Sequence, residues 1–194
     1  MKALLVLLGL GLIVGIYGCS TNNRLVAADE HVKKVWADVE GQYQRRADLV
    51  PQLVNTVKGA ANYEKSTLEA VVQARAKATS ITLDASKLSD PNAVKQFEEA
   101  QGALSQSLGR LIATREAYPD LKANSAFTGL MSQLEGTENR INYARAQYNE
   151  AVESFNASVR SFPTSIVASM KHFEAKVPFK ATSAGAEKAP EVKF

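Results

Sequence analysis

The chain has one cysteine and two histidines among its 194 residues. A lone Cys19 forms no internal disulfide, and with only His31 and His172 beside it there is no Cys/His set at metal-ligand spacing. No metal or cofactor is therefore expected, and the count leaves the redox compartment open. Excess charge is lacking too. Lys and Arg number 23 against 20 Asp and Glu, a formal net charge of +3. The two signs alternate along the chain without the basic stripe that a phosphate backbone calls for, so nucleic acid is not an expected partner. Gly-x-Ser-x-Gly, Gly-x4-Gly-Lys-Ser/Thr, Gly-x-Gly-x-x-Gly and Ser-x-x-Lys are all missing. Nucleophilic chemistry needs an activated group held by a base, and no such set is visible, which reads as a protein that is not an enzyme.

The first segment, by contrast, is rich in one thing. Lys2 is followed by an uncharged apolar run from Ala3 to Tyr17, the charged and apolar regions of an export signal, and the chain then turns polar at Ser20-Thr21-Asn22-Asn23. A membrane span needs about 20 apolar residues, and this run reaches Cys19 first. Ile16-Tyr17-Gly18-Cys19 resembles the lipobox of bacterial lipoproteins, in which the leader is cut before the cysteine and its sulfur is acylated; Tyr17 departs from the usual small residue. Residues 1–18 are thus expected to be a leader and Cys19 a lipidation site, the other reading being an uncut N-terminal helix. Ser20 after the cysteine resembles the outer-membrane sorting choice if the cell is Gram-negative.

Beyond the leader, strand alternation and glycine-rich turns are absent, and helix formers spaced at three and four dominate to about residue 172. Leu25, Val32, Val39, Arg46 and Leu53 fall at steps of seven, with Trp36, Tyr43, Val50 and Val57 as a companion track. Pro51 costs a helix interior about 3 kcal/mol, so a kink or turn is expected near Ala47 to Pro51, or else the first helix runs on to Gly59. Tyr63 to Ser80 continues the pattern through Leu68, Val71, Val72 and Ala78, and Ile81 to Ser89 reads as a loop. Asp90 and Pro91 restart a helix whose buried face is Phe97, Leu104, Leu108, Leu111 and Ile112. Tyr118-Pro119-Asp120 closes it. Ser125 is the expected cap of the last long helix, where Phe127, Leu134, Ile141, Tyr148, Phe155 and Phe162 form a heptad ladder beside Val152 and Val159. A short helix is expected over Ser165 to Phe173. The repeat within "YNEAVESFNASVRSF" lies inside one helix and argues for bundle packing. The predicted fold is all-α: an antiparallel, coiled-coil-like four-helix bundle over residues 19–175, with residues 176–194 a loose tail.

Three seam positions are charged: Arg46, Glu138 and Arg145. Paired seam charges fix helix register, and a polar network among these three is the expected structural site; a polar-ligand cleft or a catalytic acid is the alternative. Glu135 and Glu138 place two carboxylates three residues apart, which is the basis of a competing hydrolase reading. Di-iron bundles need Glu-x-x-His, which does not occur. His31 and His172 read as solvated, against a shared pH-sensing role at one end of the bundle.

The blocks "VWADVEGQYQRRADLVPQLVNTVKG", "LEAVVQARAKAT", "AYPDLKAN", "QLEGTENRINYARAQYNEAVESFN" and "RSFP" resemble the LemA family of bacterial membrane-anchored proteins, and "AGAEKAPEVKF" resembles its common C-terminal tail. The resemblance implies a helical extracytoplasmic domain on an N-terminal anchor, in many members a transmembrane helix, with no generally assigned enzymatic activity. The expectation is a lipid-anchored, periplasm-facing scaffold or adaptor of the bacterial envelope whose partners are the membrane, other envelope proteins and further copies of itself as a homo-oligomer. Family association adds a second expectation, an accessory factor of a membrane protease or envelope-repair system.

Overall fold

The computed structural model describes residues 2–58, 65–113 and 124–180, and all regular structure among them is helical. The helices are α1 (Lys2–Lys58), α2 (Lys65–Ser80), α3 (Pro91–Ala113), α4 (Ser125–Arg160) and the short α5 (Thr164–Met170), with a single 3-10 turn at Ala85–Lys87 between α2 and α3. The expected turn at Gly59, the start of α2 at Tyr63, the Tyr118-Pro119-Asp120 stop and the tail from residue 181 lie outside the described residues.

No turn interrupts α1 at Pro51, for the helix is continuous from Lys2 to Lys58. A proline leaves the carbonyl four residues earlier without its helical donor, here that of Ala47. Arg75 of α2 supplies the replacement, its Nε donating to the Ala47 carbonyl at 2.8 Å. The helix continues, and Leu53, Val54 and Val57 beyond the proline are buried. Arg75→Leu is expected to cost about 1–2 kcal/mol by orphaning that carbonyl, and the cost should shrink in a Pro51→Ala background, where the N–H at residue 51 takes over. Equal losses in both backgrounds, measured by urea unfolding, would show that Arg75 does not compensate the proline.

The two apolar tracks of α1 behave as their spacing predicts, for Leu25, Val32, Trp36, Val39, Tyr43, Val50, Leu53 and Val57 are all buried. They feed two clusters. Leu49 to Val57 of α1 pack with Leu68 and Val71 of α2, Leu104 to Leu111 of α3 and Phe127 to Leu134 of α4. Val32 to Tyr43 pack with Val94 and Phe97 of α3 and Ile141 to Phe155 of α4. Early α1 therefore meets late α4 and late α1 meets early α4, so the two longest helices run in opposite senses along their shared contact.

Several local details differ from the pattern reading. Asn124, not Ser125, caps α4, its side-chain oxygen accepting from the N–H groups of Ala126 and Phe127; an N-cap side chain bonds two or three residues ahead, and Asn124 sits at that distance. Asp90 does bond the Asn92 N–H at 2.9 Å as expected. Val72 is exposed. Phe162 leaves the aromatic ladder because α4 stops at Arg160 before Pro163, so the heptad angle no longer applies to it and the ring points outward. The segment expected as a plain loop at 81–89 is held by the core. Leu83 and Leu88 are buried in it, and the Trp36 indole donates to the Leu83 carbonyl at 3.1 Å.

The expected loose tail is the largest departure. From Lys176 to Lys180 the chain is packed along α4: Phe179 is buried beside Trp36 and Tyr148, and the Val177 N–H donates to the Leu88 carbonyl at 2.8 Å. Asn156 clamps Lys176 at both its N–H and its carbonyl, and Asn149 does the same to Phe179. These two asparagines are equivalent positions of the seven-residue repeat. Each repeat thus offers an aromatic ring to the core, Tyr148 or Phe155, and an amide to the strap.

Candidate functional site

Arg46 is 1% exposed, in the middle of the α1 seam. A guanidinium taken out of water needs its donors satisfied, and α3 and α4 supply acceptors to its two terminal nitrogens, while the buried Nε has no partner among the described residues. One terminal nitrogen donates to Glu138 Oε1 at 2.8 Å and to the Ser105 hydroxyl; the other donates to Gln101 Oε1 at 2.7 Å and to the Gln101 carbonyl at 3.1 Å. Its Cζ lies over the Tyr43 ring, 5.0 Å from the centroid. Gln101 passes the network on, donating from its amide to the Ala78 carbonyl at the end of α2 at 3.2 Å. One arginine therefore joins all four long helices.

Arg145 lines the same cleft but does not join that pair. Its guanidinium reaches Glu98 of α3 at 3.3 Å and the Lys180 carbonyl at 2.7 Å, and it covers the face of Phe179 at 4.7 Å. The Lys180 N–H closes a triangle by donating to the same Glu98 oxygen at 3.0 Å. The seam charges are thus two adjacent systems, one inside the helices and one tying the strap to them.

Between them is a cleft of about 240 Å³ lined by Tyr43, Arg46, Glu98, Gln101, Ser105, Glu138 and Arg145 among others. That is below the roughly 300–1,000 Å³ of small-molecule sites. Its two arginines and two glutamates balance in charge and are directed at one another. Burial opposes ionisation of the Tyr43 hydroxyl on its wall and holds its pKa above the ordinary phenol value, against the pull of Arg145 and Arg46. The arrangement ties faces of α1, α3 and α4 and the strap to one another.

The other sequence candidates are scattered. Cys19 is exposed and free on α1, ahead of Thr21, where burial begins. Glu135 is exposed and borders an open groove between α3 and α4, not the cleft, whereas Glu138 lines both. His31 and His172 are both exposed. Among the described residues no group of three His, Cys, Asp or Glu side chains is placed to hold a metal ion.

Sequence reading named the three seam charges and missed Glu98, Gln101 and Ser105. A signal for Gln101 was present. Val94, Phe97, Gln101, Leu104, Leu108 and Leu111 follow one another at steps of three and four on α3, so Gln101 is the polar residue on that helix's own seam. Glu98 and Ser105 flank the seam by one position, where polarity is ordinary and carries no signal.

Comparison with known proteins places these residues in a family. The chain is 26% identical over 162 residues to Protein LemA of Metamycoplasma hominis, covering 84% of this chain and 69% of that protein. It is 30% identical over 98 residues to Magnetosome protein MamQ 2 of Paramagnetospirillum magneticum and 29% identical over 98 residues to Magnetosome protein MamQ of Magnetospirillum gryphiswaldense. Those matches cover 50% of this chain and only 36% of each magnetosome protein. The family model for LemA matches residues 35–194, a stretch that takes in Arg46, Glu98, Gln101, Glu138, Arg145 and the strap. By that match the chain belongs to the LemA family.

Proposed function

We propose that this chain is a membrane-anchored helical scaffold of the bacterial envelope, a four-helix bundle with a strap, which works by binding other envelope proteins and does no chemistry of its own. One observation carries the reading: α1 is a single helix with two different solvents written along it. Leu4, Leu8, Leu12 and Ile16 are apolar and exposed, while beyond Thr21 the seam positions Leu25, Val32, Trp36 and Val39 are buried. The first part of the helix is long and apolar enough to cross a membrane. An apolar surface left outside the protein's own core is accounted for by a lipid environment. The anchor is either this helix left uncut or acyl chains on Cys19 after removal of the leader. An intact mass of the membrane-extracted protein separates the two, beginning at Met1 or at acylated Cys19.

Scaffolding is supported by what the polar groups are used for. Arg46 and Glu138 are committed to each other, and Arg145 to Glu98 and the strap, which leaves the outward faces as the surface for partners. Large apolar side chains on those faces are Val72 on α2 and Tyr143 on α4, the latter 70% exposed. The test is crosslinking in cells at native expression, with identification of what is captured from the membrane fraction. An envelope protein captured by the parent and lost in Tyr143→Ala or Val72→Ser, with the melting temperature unchanged, supports an adaptor. Capture of nothing, together with turnover by the purified chain that Glu135→Ala or Glu138→Ala abolishes, would replace this reading by the hydrolase.

A further inference from the structure

Where α4 turns into α5, three large apolar side chains stay outside the core: Phe162 is 82% exposed, Ile166 54% and Met170 74%. Ile166 and Met170 are four residues apart on α5 and share a face. Ala168 is buried, so the short helix is fixed to the body while these side chains face away from it. A cleft lined by Thr21, Arg24 and Leu25 of α1, Ser158 of α4, Ser161 and Thr164 sets the level of this reversal along α1. It lies beside Thr21, where burial begins. Thr21 is four residues beyond Tyr17, the end of the apolar run, which is about 6 Å of helix at 1.5 Å per residue. The headgroup zone on either side of a bilayer's hydrocarbon is of similar thickness, about 5–7 Å. An acylated Cys19 would bring the same end of the body to the same depth, so both forms of anchor agree.

Charge points the same way. Residues 18–28 and 157–173 contain Arg24, Arg160 and Lys171 and not one Asp or Glu. Elsewhere in the chain the two signs alternate. Asp29, Glu30 and Glu174 follow directly beyond these two stretches, so the cations are the charges nearest in sequence to the apolar side chains; that is the pattern of an interfacial membrane contact, in which the rings and alkyl groups enter the boundary region and the cations meet lipid phosphates.

We infer that Phe162, Ile166 and Met170, with Arg24, Arg160 and Lys171, form a second membrane contact that seats this end of the helical body in the headgroup layer of an anionic bilayer. The inference rests on the anchored reading above. A single helix or lipid leaves the body free to tilt about its attachment. A second contact on α5 fixes the tilt and so decides which faces of α2, α3 and α4 are presented to partners.

The test uses the full chain reconstituted in vesicles of phosphatidylethanolamine and phosphatidylglycerol, with and without brominated acyl chains. Trp36 is the only tryptophan and is buried, so it gives a constant background. Phe162→Trp adds a reporter at the proposed contact, and Thr128→Trp adds one on an exposed position at the opposite end of α4. Flotation first establishes that the chain is in the membrane. The added emission of Phe162→Trp should be blue-shifted and fall roughly twofold in brominated vesicles, as expected for a ring at the acyl boundary, while that of Thr128→Trp should not change. Placing Arg24→Glu, Arg160→Glu and Lys171→Glu on the reporter chain should restore most of the lost emission without lowering its melting temperature. A chain that floats but shows no bromine quenching at residue 162 overturns the contact and leaves the anchor standing. A chain that does not float overturns both. Blue-shifted emission insensitive to bromine would mean that a second copy covers the patch, and equal quenching at both reporters would mean a body lying flat; either result overturns the inference.

Discussion

Arg46→Ala is expected to lower the stability of the folded body by about 3–5 kcal/mol, a range typical of large-to-small replacement in a packed core. The magnitude follows from burial: the side chain is 1% exposed and bonds Glu138, Ser105 and Gln101 at once. Its loss leaves a cavity against Tyr43 and removes the partner of a buried Gln101. Glu138→Ala should cost less, about 1–3 kcal/mol. Glu138 is 39% exposed, so water can enter where the carboxylate was, and the guanidinium keeps Gln101 and Ser105. Glu135→Ala should fall within about 0.5 kcal/mol of the parent, as exposed substitutions do. The order Arg46, Glu138, Glu135, measured by urea unfolding, is the signature of a structural network. A nearly flat series would show that the network does not hold the fold.

The same network makes a sharper prediction. Replacing a buried ion pair by apolar groups of similar volume is often neutral or stabilising, because two desolvation costs vanish with the attraction. Arg46→Met with Glu138→Leu should therefore recover part of the Arg46→Ala loss by filling the cavity, and not all of it, because Gln101 Oε1 still loses its donor and Glu138 is only partly desolvated in the parent. If the pair's use is register, as seam charges are best attested to do, native-state hydrogen exchange along α3 and α4 should still quicken in the double variant. Unchanged protection would assign the pair no role in register.

How far the sequence carried this picture depends on the range of the signal. Periodicity is local and strong, so the buried tracks of α1, α3 and α4 were legible residue by residue down to Leu53 and Phe155. The polar seam positions were legible for the same reason, since each breaks a pattern of its own helix. What each charge meets was not. Arg145 has the same seam logic as Arg46, yet its partners are Glu98 and a backbone carbonyl far along the chain. At Pro51 the sequence left a break or a helix running on to Gly59 both open, because the proline's cost is local while its remedy, Arg75, comes from another helix. Phe162 was misread because the heptad count ran past the end of the helix that gives it meaning. The strap was invisible for a further reason: the five residues Lys176-Val177-Pro178-Phe179-Lys180 are too few to show a periodicity, and their order is imposed by Asn149 and Asn156 on a helix that reads well by itself.

That strap should prove part of the fold. Phe179→Ala is expected to cost about 3–5 kcal/mol, because the ring fills the space between Trp36 and Tyr148 and a cavity there is lined by rigid aromatics. Deleting the chain from Lys176 onward removes that ring and more. The Asn149 and Asn156 amides lose all four of their bonds to the strap, the Tyr148 hydroxyl loses the Val177 carbonyl at 3.0 Å, and Arg145 loses the Lys180 carbonyl. The melting temperature should fall by about 10 °C or more, since each kcal/mol is worth roughly 2–4 °C at this size. One part of the loss depends on pH. Burial opposes ionisation of Asp29, but bonds from Lys33 and Lys176 outweigh it and hold the carboxyl below its ordinary value. A folded-state value below the unfolded one gives stability that is present above the usual carboxylate range and disappears as the pH falls through the folded value. Asp29→Asn should thus weaken the chain at pH 7 and lose its effect in acid, whereas Phe179→Ala should cost the same at both. Lys176→Met should follow Asp29→Asn and not Phe179→Ala, because its ammonium lies 3.1 Å from Asp29 and has no other carboxylate partner among the described residues. If the strap deletion melts with the parent, its contacts contribute nothing to the folded state; if it melts early while Asp29→Asn does not, the aromatic ring alone secures the strap and the ion pair merely accompanies it.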